Sequence, residues 1–287
     1  MTALYRSARA QNEVENAYRE LLKDWPVENR HTVVPTRHGD TFVISSGPQT
    51  APHLLLLHGS MANSATWMRD VVDYARHFHC HAIDMIGEPG LSAPARPDLA
   101  SDAHALWLDD VLAALNIQET AIVGLSLGGW LALDHAIRRP ARVNAVALIA
   151  PGGVGRTRNI LLRALPLMLL GDYGKKRLMD KIVGPVPDDL SATGRAFFAM
   201  MDLIRSGFRP RRSLPRFSDQ QLRSLDMPIL AILGGKDIMI DSDETQRRLS
   251  ANVPHAQVDY RPDGLHYIPQ SALDVIAFLR PAQQRRA

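Results

Sequence analysis

The sequence predicts an α/β fold: a mostly parallel central sheet flanked by helices, with a helical cap inserted late in the sheet. Three observations predict it. Short apolar runs alternate with helical patterns between residues 53 and 150. About sixty residues from Pro151 onward then carry helical periodicity alone, and the alternation resumes from residue 217 to the C-terminus. Repeated strand-helix units favour parallel pairing, because two parallel strands can be joined only by a crossover long enough to hold a helix.

The leader, residues 1–30, is polar, but Val14, Tyr18, Leu21 and Trp25 recur every three or four positions. That spacing predicts an amphipathic helix packed on the body, with a homodimer contact as a second use for the stripe. "TVVPTRHGDTFVISSG" (32–47) predicts a hairpin turning at His38-Gly39-Asp40. "HLLLLHG" (53–59) is a buried strand, "TWMRDVVDYARHF" (66–78) a helix, "CHAIDMIG" (80–87) a strand and "DAHALWLDDVLAALNI" (102–117) a helix. "TAIVG" (120–124), "LGGWLALDHAIRR" (127–139) and "VNAVALIA" (143–150) give strand, helix and strand, Pro140 closing the helix. After the insertion come a helix and strand in "FSDQQLRSLDMPILAILGGKD" (217–237), a helix in "SDETQRRLSANV", a strand at "AQVDYRP" and a terminal helix in "ALDVIAFLR". The chain therefore divides into a leader (1–30), a core (31–150 and 214–287) and a helical cap (151–213). A helical insertion between sheet strands is expected over their carboxyl ends, where ligands bind in open α/β sheets.

Composition narrows the function classes. With 287 residues, 46% of them hydrophobic, the chain can bury a large core. No stretch of some eighteen apolar residues occurs and the first thirty are charged, so the expectation is a cytoplasmic protein with no membrane span. The single cysteine, Cys80, precludes an internal disulfide or a cysteine-based zinc site and is expected to be a buried strand residue. Thirty-three Lys and Arg against thirty Asp and Glu leave +3 with no basic stripe, so nucleic acid is not an expected partner.

The residue of chemical interest is Ser126, in "AIVGLSLGGWLALDHAI". G-x-S-x-G arises by chance in roughly one chain in ten of this length. Here, however, it lies directly between a strand and a helix, where a strained turn pushes a serine hydroxyl outward at a helix N-terminus. The competing use is a helix cap. A serine nucleophile needs a base, and the base needs a carboxylate. His266 in "RPDGLHYIPQ" and Asp237, at the end of the strand "PILAILGG", follow in the order that the elbow motif requires. Asp241 and Asp243 compete for the acid role, but one of Ser242 and Asp243 is expected to cap a helix and Asp241 lies further from the strand end. His58, at the end of "LLLLHGS", suits a residue shaping its loop; His77, His79, His81, His104, His135 and His255 are assigned structural roles. Two backbone N–H groups, those of Ser60 and Leu127, stand where an oxyanion would be received. The site calls for no cofactor and no metal.

These segments together resemble the α/β-hydrolase superfamily, and within it bacterial carboxylesterase-like serine hydrolases. The resemblance covers nearly the whole chain, through "LLLLHGS", "AIDMIGEPGLS", "VGLSLGGWLAL", "ILGGKD" and "GLHYIP". It implies an α/β-hydrolase fold with a helical cap and the cleavage of carboxylic esters of small, largely apolar substrates through an acyl-enzyme on Ser126, His266 and Asp237. Leu165, Leu169, Met179, Phe197, Phe198, Met200 and Met201 are candidates for an apolar pocket, a stripe of this kind serving more often as cap core. Where many relatives read G-H-G-x-S, this chain has Gly87-Glu88-Pro89-Gly90-Leu91-Ser92, and Glu88 is expected to face solvent, with substrate as the alternative. Other activities on the same three residues stay open (thioesterase, lactonase, perhydrolase, carbon–carbon bond hydrolase). A ligand receptor of the same fold with little turnover also stays open; steady multiple turnover on simple esters separates it from an enzyme.

Overall fold

The computed structural model describes residues 4–158, 170–211 and 213–284. Among the described residues, eight strands form one sheet in the order β1-β2-β4-β3-β5-β6-β7-β8. They are β1 (Asn29–Val34), β2 (Thr41–Ser46), β3 (His53–Leu57), β4 (His79–Ile83), β5 (Thr120–Leu125), β6 (Val143–Ile149), β7 (Ile229–Gly234) and β8 (Gln257–Arg261). β2 runs antiparallel to both β1 and β4, and every pairing from β4 through β3 and β5 to β8 is parallel.

The apolar runs of the sequence are continuous because both faces of the sheet are covered. Alternate residues of one strand feed two cores. Leu54 and Leu56 of β3 join Tyr18, Trp67, Tyr74 and Val275 on one face, while Leu55 and Leu57 join Trp107, Val111, Trp130 and Leu249 on the other. Each such leucine, fully buried, contributes about 1.5–3 kcal/mol of transfer free energy. The first face is covered by helices α1 (Ala8–Leu22) and α9 (Ala272–Gln284), the second by α3 (Ala103–Ala114), α4 (Leu127–Arg138) and α8 (Ser242–Asn252).

The helix expected over 66–78 is instead a 3-10 turn at Ser64–Trp67 and a single turn, α2 (Val71–Tyr74). The periodicity nevertheless marks the buried face, since Trp67, Val71, Tyr74 and Phe78 are all inside. The start of this segment is captured by tertiary bonds: the buried Asp84 carboxylate accepts from the Ser64 N–H at 2.9 Å, and Asn63 caps the 3-10 turn through Ala65 N–H.

The leader packs inside its own chain. Val14, Tyr18 and Leu21 are buried, the Tyr18 hydroxyl donates to Asp84 Oδ1 at 2.9 Å, and Trp25 Nε1 donates to Ser46 Oγ at 3.0 Å. The stripe is thus occupied within the chain, and a dimer contact would need a different surface. Residues 4–6 also run beside the end of helix α6 (Ala192–Gly207): Arg6 N–H donates to Gly207 O and Arg209 N–H to Leu4 O, with Tyr5 edge-on to Phe208.

Between β6 and β7 the described residues hold two longer helices, α5 (Gly171–Val183) and α6, followed after residue 213 by the short α7 (Asp219–Arg223). This segment touches the loops at the carboxyl ends of the strands. Tyr267 N–H donates to Ile182 O, Arg158 Nη1 to Asp237 O, and Asn63 Nδ2 lies 3.5 Å from Met200 Sδ. Of the apolar candidates on it, Met200 is fully buried, and Phe197 and Met201 pack with it against the core on the leader's side, whereas Phe198 and Met179 are half-buried. Leu165 and Leu169 lie outside the described residues. Among the described residues no helix is long and apolar enough to cross a membrane.

Candidate active site

The site begins with the turn from β5 into α4. Ser126 adopts φ 52° and ψ −105°, a conformation that side-chain-bearing residues rarely take and that costs on the order of 1–3 kcal/mol. Two glycines make the turn sterically feasible. A Cβ on Gly124 would stand 2.4 Å from the Gly128 carbonyl oxygen, and one on Gly128 2.0 Å from that of Leu57. The second contact also brings the first turn of α4 against the end of β3 and the loop His58-Gly59-Ser60. Backbone bonds clamp the turn: Ser126 N–H donates to Ile149 O, and Ser126 O accepts from Gly152 and Trp130 N–H.

Ser126 occupies the cap position of α4, yet its side chain makes no capping bond. Its hydroxyl instead lies 3.0 Å from His266 Nε2. On the other side of the ring, His266 Nδ1 is 2.7 Å from Asp237 Oδ2. The carboxylate accepts, so the ring proton resides on Nδ1 and Nε2 is left as an acceptor for the serine hydroxyl. Asp237 is 1% exposed and its other oxygen, Oδ1, accepts from Met239 N–H at 2.6 Å and Ile240 N–H at 3.0 Å, which fixes the carboxyl plane. The three residues expected from chain order are therefore brought onto one hydrogen-bonded line.

The competing acids fall elsewhere. Asp241 caps α8, its Oδ1 accepting from Glu244 N–H, so the cap lies one residue before the Ser242 or Asp243 that the sequence suggested. Asp243 accepts from the Tyr260 hydroxyl. His58 is buried, with Nδ1 bonded to Gly59 O and Nε2 accepting from Met85 N–H; burial holds it below the usual histidine range, so the ring is neutral and ties the β3 loop to the end of β4.

Leu127 is the first residue of α4, so its N–H has no partner within the helix. Ser60 follows the β3 loop, and the next residue, Met61, takes φ 58° and donates its N–H to Glu88 Oε2 at 2.8 Å. Glu88 departs from the solvent-facing role expected of it. It is 3% exposed, its Oε2 also lies 3.3 Å from Ser60 Oγ, and its Oε1 meets Arg211 Nε at 3.3 Å. Burial pushes its carboxyl above the ordinary range, against the pull of the Met61 N–H and of Arg211. Glu88 thus grips the loop that carries Ser60 and anchors it to the segment between β6 and β7.

Asp84 is a second residue that sequence reasoning missed. Fully buried, it accepts from Tyr18, Ser64 and Leu91 and joins the leader to the loops on both sides of the site. Only its position as a carboxylate in the apolar run "AIDMIG" signalled it, and its backbone donors carry no side-chain signature.

A family model described as alpha/beta hydrolase fold matches residues 52–213, more than half of the chain. The chain belongs to the α/β-hydrolase family. This α/β hydrolase is 30% identical over 256 residues to carboxylesterase YbfK of Bacillus subtilis (strain 168), which covers 88% of the chain and 86% of that protein. The crystal structure of carboxylesterase CesB (YbfK) from Bacillus subtilis superposes with a TM-score of 0.79 at 28% identity, over 96% of this chain and 99% of that one. The crystal structure of naproxen esterase (carboxylesterase NP) from Bacillus subtilis gives 0.78 at 26% identity, over 98% and 99%. The recognised resemblance and the fold class are both borne out.

Proposed function

We propose that this α/β hydrolase is a serine carboxylesterase in which Ser126 is the nucleophile, His266 the general base and Asp237 the acid that orients it. One observation carries this reading: a hydroxyl on a strained elbow turns away from the helix it could cap and toward an imidazole whose far nitrogen is held by a buried carboxylate. The likeness to carboxylesterases supports the ester as substrate.

His266 Nε2 takes the Ser126 proton as Oγ attacks the ester carbonyl, and Asp237 stabilises the imidazolium that forms. The oxyanion is received by the N–H groups of Ser60 and Leu127, the latter aided by the positive end of α4. Collapse of the tetrahedral intermediate passes the proton from His266 to the departing alcohol. The acyl group then remains on Ser126 until water, activated by the same imidazole, releases it as a carboxylic acid. The insertion 151–213 acts as the cap, since Arg158 and Ile182 reach the loops bearing Asp237 and His266 and Arg211 reaches the Glu88 that holds the Ser60 loop. A cytoplasmic location is part of this reading, and cell fractionation checks it.

Steady turnover of p-nitrophenyl esters tests the proposal. Many turnovers per chain are expected, with kcat/KM higher for uncharged short to medium acyl groups than for charged ones, because the half-buried Phe198 and Met179 on the cap helices offer apolar surface. A single stoichiometric burst without turnover would instead make the protein a receptor, and a preference for highly charged esters would refute the apolar pocket.

A further inference from the structure

At the opposite end of the sheet from Ser126, the register of three strands gathers histidines that the esterase reaction does not use. His53 opens β3 and pairs with His79, which opens β4; His81 lies two residues further along β4, opposite Ser45 of β2. Cross-strand partners share a face and the side-chain period is two, so all four residues project from one face. Cys80, between the two β4 histidines, points to the other face, where its Sγ lies 3.7 Å from Phe78 O, and is not part of the group. Leu55, Leu57 and Ile83 continue the histidine face into the core under α3 and α4. The histidines therefore sit at the amino ends of the strands, separated from the elbow by about the length of a five-residue strand, roughly 16 Å.

We propose that His53, His79 and His81 form a binding site for one divalent transition-metal ion of the zinc class, remote from the esterase centre. One ligand nitrogen from each ring lies within 4.8 Å of the other two. His53 Nδ1 is already 3.0 Å from His81 Nε2. Two nitrogens on a tetrahedral zinc, each about 2.0–2.1 Å from the metal, stand about 3.3 Å apart. His81 is fixed by Ser45, whose Oγ lies 3.0 Å from Nδ1. With the proton on Nδ1, the hydroxyl accepts it and the Nε2 lone pair faces the other rings, as an outer partner does for a metal-bound histidine.

A further feature points to a ligand. Among the described residues His79 Nδ1 is buried without a hydrogen-bond partner, a costly arrangement that a metal bond through that nitrogen would relieve. Among the described residues the ligand group is three imidazoles without a carboxylate, and such nitrogens favour Cu²⁺, Zn²⁺, Ni²⁺ and Co²⁺ over Mg²⁺ and Ca²⁺. His79, His81 and Ser45 line a cleft of about 1180 Å³ that also contains Glu28, Arg30, Arg76 and Asn116, so a water molecule can reach the fourth coordination position. Binding needs only rotation of the two half-buried rings, His53 and His79, and transfer of the His53 Nδ1 proton to Nε2 of the same ring. The metal would fasten β3 to β4.

The test uses the full chain without a polyhistidine tag and Co²⁺ as the probe, followed by visible absorption and displaced by Zn²⁺. One Co²⁺ per chain is expected, with binding at least ~10-fold weaker in His53→Gln and in His79→Gln, both of which keep parental esterase turnover and a cooperative melt. Ser45→Ala, which leaves all three ligands in place, should weaken it by about 10–100-fold. His266→Ala should bind Co²⁺ as the parent does. Zn²⁺ should raise the melting temperature of the parent but not of His53→Gln. Absence of saturable binding, or binding undiminished in both glutamine variants, overturns the proposal and leaves a hydrogen-bonded imidazole cluster. Loss of binding in His266→Ala alone would place the ion at the esterase centre and overturn it equally.

Discussion

Replacing Asp237 by Asn tests how the acid works, and the geometry sets the size of the effect. Asp237 Oδ1 accepts from two backbone N–H groups, so the asparagine carbonyl takes that position and its NH₂ is forced into the place of Oδ2. An amide donor then faces His266 Nδ1, where 2.7 Å now separates donor from acceptor in the working order. The ring must accept there and carry its proton on Nε2, facing Ser126, so the base is lost with the fold intact. The same change in the best-studied serine triad lowers kcat about 10⁴-fold, equivalent to about 5.4 kcal/mol. Asp241→Asn is the control. Asn caps helices about as well as Asp, and the 3.7 Å pair with Arg158 is partly exposed, so kcat should stay within about threefold of the parent. Initial rates on a p-nitrophenyl ester, with melting curves of all three proteins, provide the assay. A folded Asp237→Asn enzyme within tenfold of the parent, or an Asp241→Asn enzyme equally impaired, would refute the reasoning.

Tyr18→Phe removes a buried donor to Asp84 from the leader helix and should cost about 1–2 kcal/mol, read as a melting temperature several degrees lower; an unchanged value would mean that the leader is not held by this bond. Stability should also fall with acid. Burial lowers His104 to about 3 and His135 to about 4. The unfolded chain therefore takes up these protons first as pH drops below about 6.5, with a loss of up to about 1.4 kcal/mol per pH unit for each histidine between there and pH 4. Melting temperatures that stay flat from pH 7 to pH 5 would contradict this.

What could be seen in the sequence, and what could not, follows the range of the forces involved. Strands β3, β5, β6 and β7 were legible because burial on both faces leaves continuous apolar runs, and the leader helix because Val14, Tyr18 and Leu21 keep one face apolar. The segment after residue 63 was legible only as a buried stripe, since its backbone answers to a carboxylate twenty residues away. Ser126, Asp237 and His266 could be named because strand ends and chain order confine them to few positions. Glu88 could not be placed, because its partners are a backbone N–H and an arginine 123 residues further on. His53 escaped attention for the same reason: only the pairing of β3 with β4 sets it beside His79.

The central claim is that the Ser126 hydroxyl is activated by His266. Its most direct measurement is labelling with a fluorophosphonate, followed by peptide mapping, on the parent, Ser126→Ala and His266→Ala proteins. The account predicts one label per chain, on Ser126, its loss or severe slowing in both variants, and melting curves close to the parent, because the side chain makes no cap whose removal would cost about 1 kcal/mol. A folded Ser126→Ala protein that still turns over esters at the parental rate would contradict it.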